Sequence, residues 1–217
     1  QSSTGGITQE LEIKGHKFVF VNGRLNSPPE AGPYTMTRIS ICYNSSPLTQ
    51  ITEIEGILDG PFYCHYPRDI YPGEDLARAF EYTLNIIEKQ GPFDGVMGFS
   101  QGAALACALI AHHAKTNSKP LFKVAVFICG ATPYESSGLK ELVAEDGKYP
   151  VTIPTTHIVG RQDPYYKGSM HLYGICDPSK AVFYDHGSKH HIPFDQANTA
   201  AMVSAIEKSL NRALNNE

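Results

Sequence analysis

The sequence predicts an α/β protein built on a doubly wound, mostly parallel sheet with helices on both faces. Three observations predict it. Short apolar runs recur at Lys17–Val21, Phe93–Phe99, Leu121–Cys129, Thr155–Val159 and Ala181–Tyr184. Segments of helical periodicity lie between the later runs. The length of 217 residues suits one domain with a sizeable core. Strands that alternate with helices pair in parallel through crossovers, and the helices then cover both faces.

Each element follows from its residues. Lys17–Val21 (KFVFV) reads as a buried strand. From Asn22 to Gly73 the chain is irregular and rich in Pro, Gly, Ser and Tyr. It reads as a lid-like insertion within a single domain spanning 1–217, with Thr37–Tyr43 a candidate further strand. Glu74–Gln90 reads as a helix because Leu76, Phe80, Leu84 and Ile87 recur on one face. Glu74 and Asp75 suit its positive end, and Gly91-Pro92 stops it. Phe93–Phe99 is a short strand, and Ser100–His113 a helix apolar nearly all round, hence buried. Leu121–Cys129 and Thr155–Val159 are buried strands, Pro164–Ile175 a helix and Ala181–Tyr184 a short strand. Phe194–Leu214 closes the chain as an amphipathic helix with Met202, Val203, Ile206, Leu210 and Leu214 on one side.

Composition removes several function classes. A net charge of −4 gives no electrostatic reason for a nucleic acid or an anionic membrane as partner. No apolar run approaches the roughly 20 residues that span a bilayer. Cys42, Cys64, Cys107, Cys129 and Cys176 are odd in number and widely spaced, with no CxxC. Neither a disulfide framework nor a zinc knuckle is expected, and a reducing compartment fits. The opening QSSTGGITQE lacks the basic start and apolar core of a signal peptide, so the expected location is cytoplasmic. Nothing in the sequence sets an oligomeric state.

Gly98-Phe99-Ser100-Gln101-Gly102 is a G-x-S-x-G between a strand and a buried helix. That is the setting of a nucleophile elbow, in which a sharp turn lifts the serine clear of the sheet. Small residues are needed where the turn closes, and Ala103 and Ala104 let the helix lie close to the sheet. The backbone N–H of Gln101 then faces the oxygen of a tetrahedral intermediate, where one donor contributes about 3–4 kcal/mol. A chance match is the bland alternative, and the flanking strand, helix and alanines weigh against it.

A serine hydroxyl needs a base. In this type of site the acid and the histidine follow the serine along the chain. Asp163 stands just after Thr155–Val159, although a turn or helix-capping aspartate before Pro164 is an ordinary alternative. Three histidines follow the last strand: His186, His190 and His191. Spacing alone leaves them in competition. His186 and His190 are four apart, but Gly187-Ser188-Lys189 argues against a shared helical face and HExxH is absent, so no metal is expected.

Gly91–Ala106 (GPFDGVMGFSQGAALA) closely resembles the elbow of the fungal FSH-type serine hydrolases, a family of the α/β-hydrolase fold. Ile158–Pro164 (IVGRQDP) and Ser188–Pro193 (SKHHIP) resemble the same family's acid and histidine blocks, in order. The likeness runs from about Gly91 to the C-terminus, with weaker similarity in Lys17–Asn22. It implies Ser100 as nucleophile, Asp163 as acid and His190 as base, because the family's histidine stands three residues before a proline, here Pro193. Gly-Gly is commoner in the family where Ser188-Lys189 stands here. Thioesterases of the phospholipase/carboxylesterase type share GFSQG but continue with a glycine where this chain has Ala103.

The resemblance also implies an apolar first strand and a His-Gly loop that supplies a second oxyanion donor. The sequence ahead of Lys17 contains neither. The implied activity is hydrolysis of carboxylic esters or thioesters, including release of polyketide acids from carrier proteins, with no cofactor and no metal. The implied partner is a small-molecule or carrier-bound acyl substrate. Phe62, Tyr63, Tyr66 and Tyr71, with Tyr134, Tyr165 and Tyr166 beyond strand ends, are candidates to line an acyl pocket; ordinary packing is the alternative for each. The competing readings are a short-chain carboxylesterase, a non-catalytic ligand-binding protein of the same fold, and a metal-dependent hydrolase built on the C-terminal histidines.

Overall fold

A computed structural model of the chain describes residues 5–27, 38–43, 62–67 and 70–215. In chain order its elements are α1 (Gly5–Ile13), β1 (Lys17–Asn22), β2 (Leu25–Ser27), β3 (Arg38–Tyr43), β4 (Phe62–Cys64), α2 (Glu74–Gln90), β5 (Gly95–Phe99), α3 (Gln101–Ala114), β6 (Val124–Ile128), β7 (Thr155–Val159), α4 (Tyr166–Gly174), β8 (Ala181–Asp185) and α5 (Gln196–Leu214). Much of the expected insertion, including Thr37 and residues 44–61, lies outside the described residues.

The continuous apolar runs become the centre of one sheet, ordered β1-β3-β5-β6-β7-β8. β5 through β8 are parallel, while β1 and β3 join antiparallel on one side. Every residue of β5, β6 and β7 is buried, as strands covered on both faces must be. Side chains alternate between two cores. Val96, Ala125 and Phe127 pack with α2, α3 and Leu172 of α4; Met97, Phe99, Val126, Ile128 and Ile158 pack with α1 and α5. Helix α3 is buried from Gln101 to Ala111, which explains why it is apolar all round.

Several expectations are corrected. Lys17–Val21 is not a buried strand: β1 pairs only with β3 among the described residues, and Phe20 is 41% exposed while Val21 is buried. An edge position leaves one flank uncovered whatever the composition. Arg38–Tyr43 belongs to the main sheet, between β1 and β5. The strand within Phe93–Phe99 starts at Gly95 and the strand within Leu121–Cys129 at Val124, where their parallel pairing begins; just ahead of both, Lys123 N–H donates to Asp94 O at 2.7 Å. Helix α4 starts at Tyr166 because Asp163 and Pro164 form a turn. Leu214 is 73% exposed although it falls on the apolar side of α5. Helix α1 has no counterpart in the sequence reading; it buries Ile7 and Leu11, one turn apart, against α5.

The two-stranded ribbon of β2 and β4 stands apart from the main sheet. An ion pair between Arg24 and Asp75 ties it to the start of α2. No helix among the described residues is long and apolar enough to cross a membrane.

Candidate active site

Ser100 sits where β5 turns into α3, with φ 54° and ψ −120°. A serine rarely adopts this left-handed φ, and the surroundings hold it there. Its N–H donates to Ile128 O at 2.9 Å, and its carbonyl accepts from Ala103 N–H at 3.1 Å and Ala131 N–H at 3.1 Å. A Cβ on Gly98 would lie 2.5 Å from Ala103 N, so only glycine lets the helix start this close to the strand. The first N–H groups of α3, Gln101's among them, have no partner within the helix and face the same side as the helix's positive end.

Asp163 lies beyond the end of β7. Its N–H donates to Gly160 O at 2.9 Å, closing a turn, and its Oδ1 accepts from Tyr165 N–H at 2.7 Å. The turn role weighed as an alternative and the site role therefore coexist, since Oδ2 is directed at His190 Nδ1, 2.7 Å away. His190 Nε2 lies 3.0 Å from Ser100 Oγ. With Asp163 ionised, Nδ1 donates and Nε2 is left to accept from the serine hydroxyl. The imidazole is held between Phe99 and Tyr165, with ring centroids 4.9 and 5.0 Å away.

The loops carrying Asp163 and His190 are joined to each other. Gln162 N–H donates to Ser188 O at 3.1 Å and its Nε2 to Gly187 O at 2.9 Å. Asp185 accepts from Gly187 N–H at 2.7 Å, Arg161 N–H at 3.2 Å and Arg161 Nε at 2.6 Å. Burial pushes the Asp185 carboxyl up, but these donors outweigh it and hold it below its ordinary value. Asp185, Arg161 and Gly160 escaped the sequence reading, because their role exists only where two distant loops meet.

The other histidines go elsewhere. His186 Nε2 lies 3.6 Å from Cys129 Sγ, and His191 Nε2 lies 3.3 Å from Ser188 Oγ. Burial and the neighbouring His191 lower the pKa of His186. Cys129 has a left-handed φ of 46° at the end of β6. Burial, then the carboxylate of Asp163, pushes its thiol well up, so it stays protonated. Donor atoms of Cys129, Asp163 and His190 come within 4.8 Å of one another, but the aspartate and histidine are already joined by their own hydrogen bond.

A cavity of about 470 Å³ opens onto Ser100 and Gln101 and is lined by Tyr66, Pro67, Ile70, Tyr71, Tyr134 and Tyr165, with Ala131 and Thr132. No Lys, Arg, Asp or Glu is among these lining residues. Tyr71 and Tyr134 meet edge to face at 5.7 Å. Of the aromatics expected to line a pocket, Tyr66, Tyr71, Tyr134 and Tyr165 do so and Tyr63 and Tyr166 do not; the side chain of Phe62 lies outside the described residues.

Serine, then aspartate, then histidine, each beyond the carboxyl end of a parallel strand, is the chain order of the α/β-hydrolases, and fold and site together define that class. The chain belongs to the FSH1 serine hydrolase family, whose profile matches residues 1–202. It is 32% identical to esterase FPY3 of Fusarium mangiferae over 226 residues, covering 99% of this chain and 91% of that protein. It is 30% identical to hydrolase phiM of Talaromyces stipitatus over 167 residues, which is 70% of this chain and 66% of that one. Esterase OVCA2 of Bos taurus is 34% identical over 136 residues, 61% of this chain and 57% of the relative.

Proposed function

We propose that this serine hydrolase cleaves carboxylic esters and thioesters through an acyl-enzyme on Ser100, with His190 as base, Asp163 as the acid that orients it and Gln101 N–H as an oxyanion donor. The observation that carries this reading is the unbroken hydrogen-bonded line from Asp163 Oδ2 through both nitrogens of His190 to Ser100 Oγ, at 2.7 and 3.0 Å. His190 takes the hydroxyl proton as Oγ attacks the carbonyl carbon, and Asp163 stabilises the imidazolium. The N–H of Gln101 stabilises the oxygen that becomes negative. His190 then returns the proton to the departing alcohol or thiol. In the second half, water gives a proton to His190 as it attacks the acyl carbon, and His190 returns that proton to Ser100 Oγ as the Oγ–acyl bond breaks and the acid leaves.

The described lining of the cavity, rich in tyrosine and without a charged side chain, suits a neutral acyl group of several carbons. The narrower reading, release of a polyketide acyl chain from a carrier-protein thioester, rests on the family resemblance and on that same cavity. Its test is turnover of an acyl-carrier thioester set against simple aryl esters.

Intact-mass spectrometry after incubation with a fluorophosphonate tests the chemistry. One adduct on the wild type and none on Ser100→Ala is expected. An unlabelled wild-type protein, or an adduct that survives the substitution, would refute the proposed nucleophile.

A further inference from the structure

Gln101 is 8% exposed, and its side chain is used at both ends. Its Oε1 accepts from His65 N–H at 2.9 Å, and its Nε2 donates to Tyr66 O at 2.9 Å. A carboxamide can accept and donate at once in a single plane, which matches the N–H and C=O of two neighbouring residues where the chain bends after β4. The segment it holds follows directly from β4, in the ribbon outside the main sheet. The ribbon side is itself tight, since a Cβ on Gly23 would come within 2.9 Å of the Cys64 backbone. Among the described residues, further ties to the hydrolase core are the Arg24–Asp75 pair at α2 and the packing of Tyr66 in the core beside α2 and α3.

What the clamp holds is a wall of the site. Tyr66 and Pro67 line the cavity that opens onto Ser100. Tyr66 is buried, and burial, then the nearby Tyr134, keeps its phenol protonated. The residue after the serine therefore touches both halves of the site: its N–H belongs to the elbow, and its side chain reaches the opposite wall.

We infer that the Gln101 carboxamide is a positioning residue that fixes the Tyr66–Pro67 wall against the elbow and so sets which acyl lengths the enzyme accepts. This rests on the ester-cleaving reading above. An acetyl group ends close to Ser100 and depends only weakly on the wall. An octanoyl group must lie along it. Replacing the carboxamide by an apolar chain of equal length leaves His65 N–H and Tyr66 O without this shared partner, and the wall keeps its packing but loses the polar tie that fixes it to the elbow.

The test compares kcat/KM for p-nitrophenyl acetate and p-nitrophenyl octanoate in the wild type, Gln101→Met and Gln101→Glu, with fluorophosphonate labelling of each. Gln101→Met is expected to lose about fivefold on acetate and about 30-fold or more on octanoate, mainly through KM. Gln101→Glu should match it at about pH 8, where a carboxylate faces Tyr66 O, and move back toward the wild-type octanoate-to-acetate ratio as the pH is lowered, because burial and the facing carbonyl raise this acid and the proton it gains lets it donate as well as accept. Taking the octanoate-to-acetate ratio cancels titration of the shared base. Equal losses on both esters, or a Gln101→Glu ratio that ignores pH, would overturn the inference. If Gln101→Met does not fold, the pH dependence of Gln101→Glu decides alone. A wild type that fails to label would instead defeat the ester-cleaving reading, which keeps the two failures apart.

Discussion

His190 Nδ1 lies 2.7 Å from Asp163 Oδ2, and neither side chain is exposed to solvent. Buried in this way, the carboxylate sets which imidazole nitrogen carries the proton and leaves Nε2 facing Ser100. Asn at position 163 keeps the shape but offers a donor where an acceptor is needed. Asp163→Asn is expected to lower kcat on p-nitrophenyl acetate by about 10⁴-fold with KM changed by only a few-fold. A loss under about tenfold would mean that the pair is structural only.

The second prediction separates the histidines. His190→Ala should abolish turnover and fluorophosphonate labelling together. Among the described residues the His191 ring meets Ser188 Oγ and, at 5.9 Å between centroids, the ring of His186, and its contact with the Cys129 thiol at 3.9 Å is through the backbone carbonyl. His191→Ala should therefore stay within about threefold of wild-type kcat/KM. The reverse pattern would move the base by one residue.

The parts legible in the sequence are those fixed by local pattern. Continuous apolar runs marked β5, β6 and β7, because strands hidden on both faces have no polar side. The elbow was legible because Gly98, Ala103 and Ala104 have to be small where strand and helix touch. The exposure of Phe20 was not legible, since KFVFV has the composition of an interior strand and only its place at the sheet edge uncovers it. Nor was α1, whose two buried aliphatics are too few to make a stripe. Spacing could not choose among His186, His190 and His191; that choice came from the family resemblance, and the same ring is the one near Ser100. Asp185 and Gln101 were legible as residues but not as ties, because each acts on a segment that only folding brings near.

Asp185 gives a pH-dependent prediction. Its carboxyl is held below the ordinary value of 3.8, because the Gly187 and Arg161 donors outweigh burial. A depressed carboxylate contributes stability above its unfolded pKa and loses it as the pH falls through its folded pKa. Arg161 is 69% exposed, so the backbone donors supply most of the effect. Asp185→Asn should cost about 2 kcal/mol in urea unfolding above about pH 5, with the difference from wild type shrinking below about pH 4. A difference that persists unchanged into acid would show that charge on Asp185 is irrelevant.

Gly160 and Gly98 are both glycines of close approach, yet their replacement should fail differently. A Cβ on Gly98 would strike the backbone of Ala103 inside the elbow, where strand and helix are both buried and neither can move. Gly98→Ala should cost more than about 3 kcal/mol and yield little folded protein. A Cβ on Gly160 would instead come within 2.8 Å of Ser188 O, His186 Cε1 and Lys189 O, all on the loop that carries His190. Residues 186–189 of that loop are part-buried or exposed and have room to shift outward, so Gly160→Ala should fold, with a melting temperature lowered by more than about 5 °C because two of the three atoms are backbone oxygens. Moving the loop displaces the imidazole from Ser100, and a shift near 1 Å is enough to cost about 10²-fold in kcat. Thermal unfolding and p-nitrophenyl acetate turnover on the same sample read the two effects separately. A Gly160→Ala enzyme as active as wild type would show that the two loops do not need this contact to align the histidine.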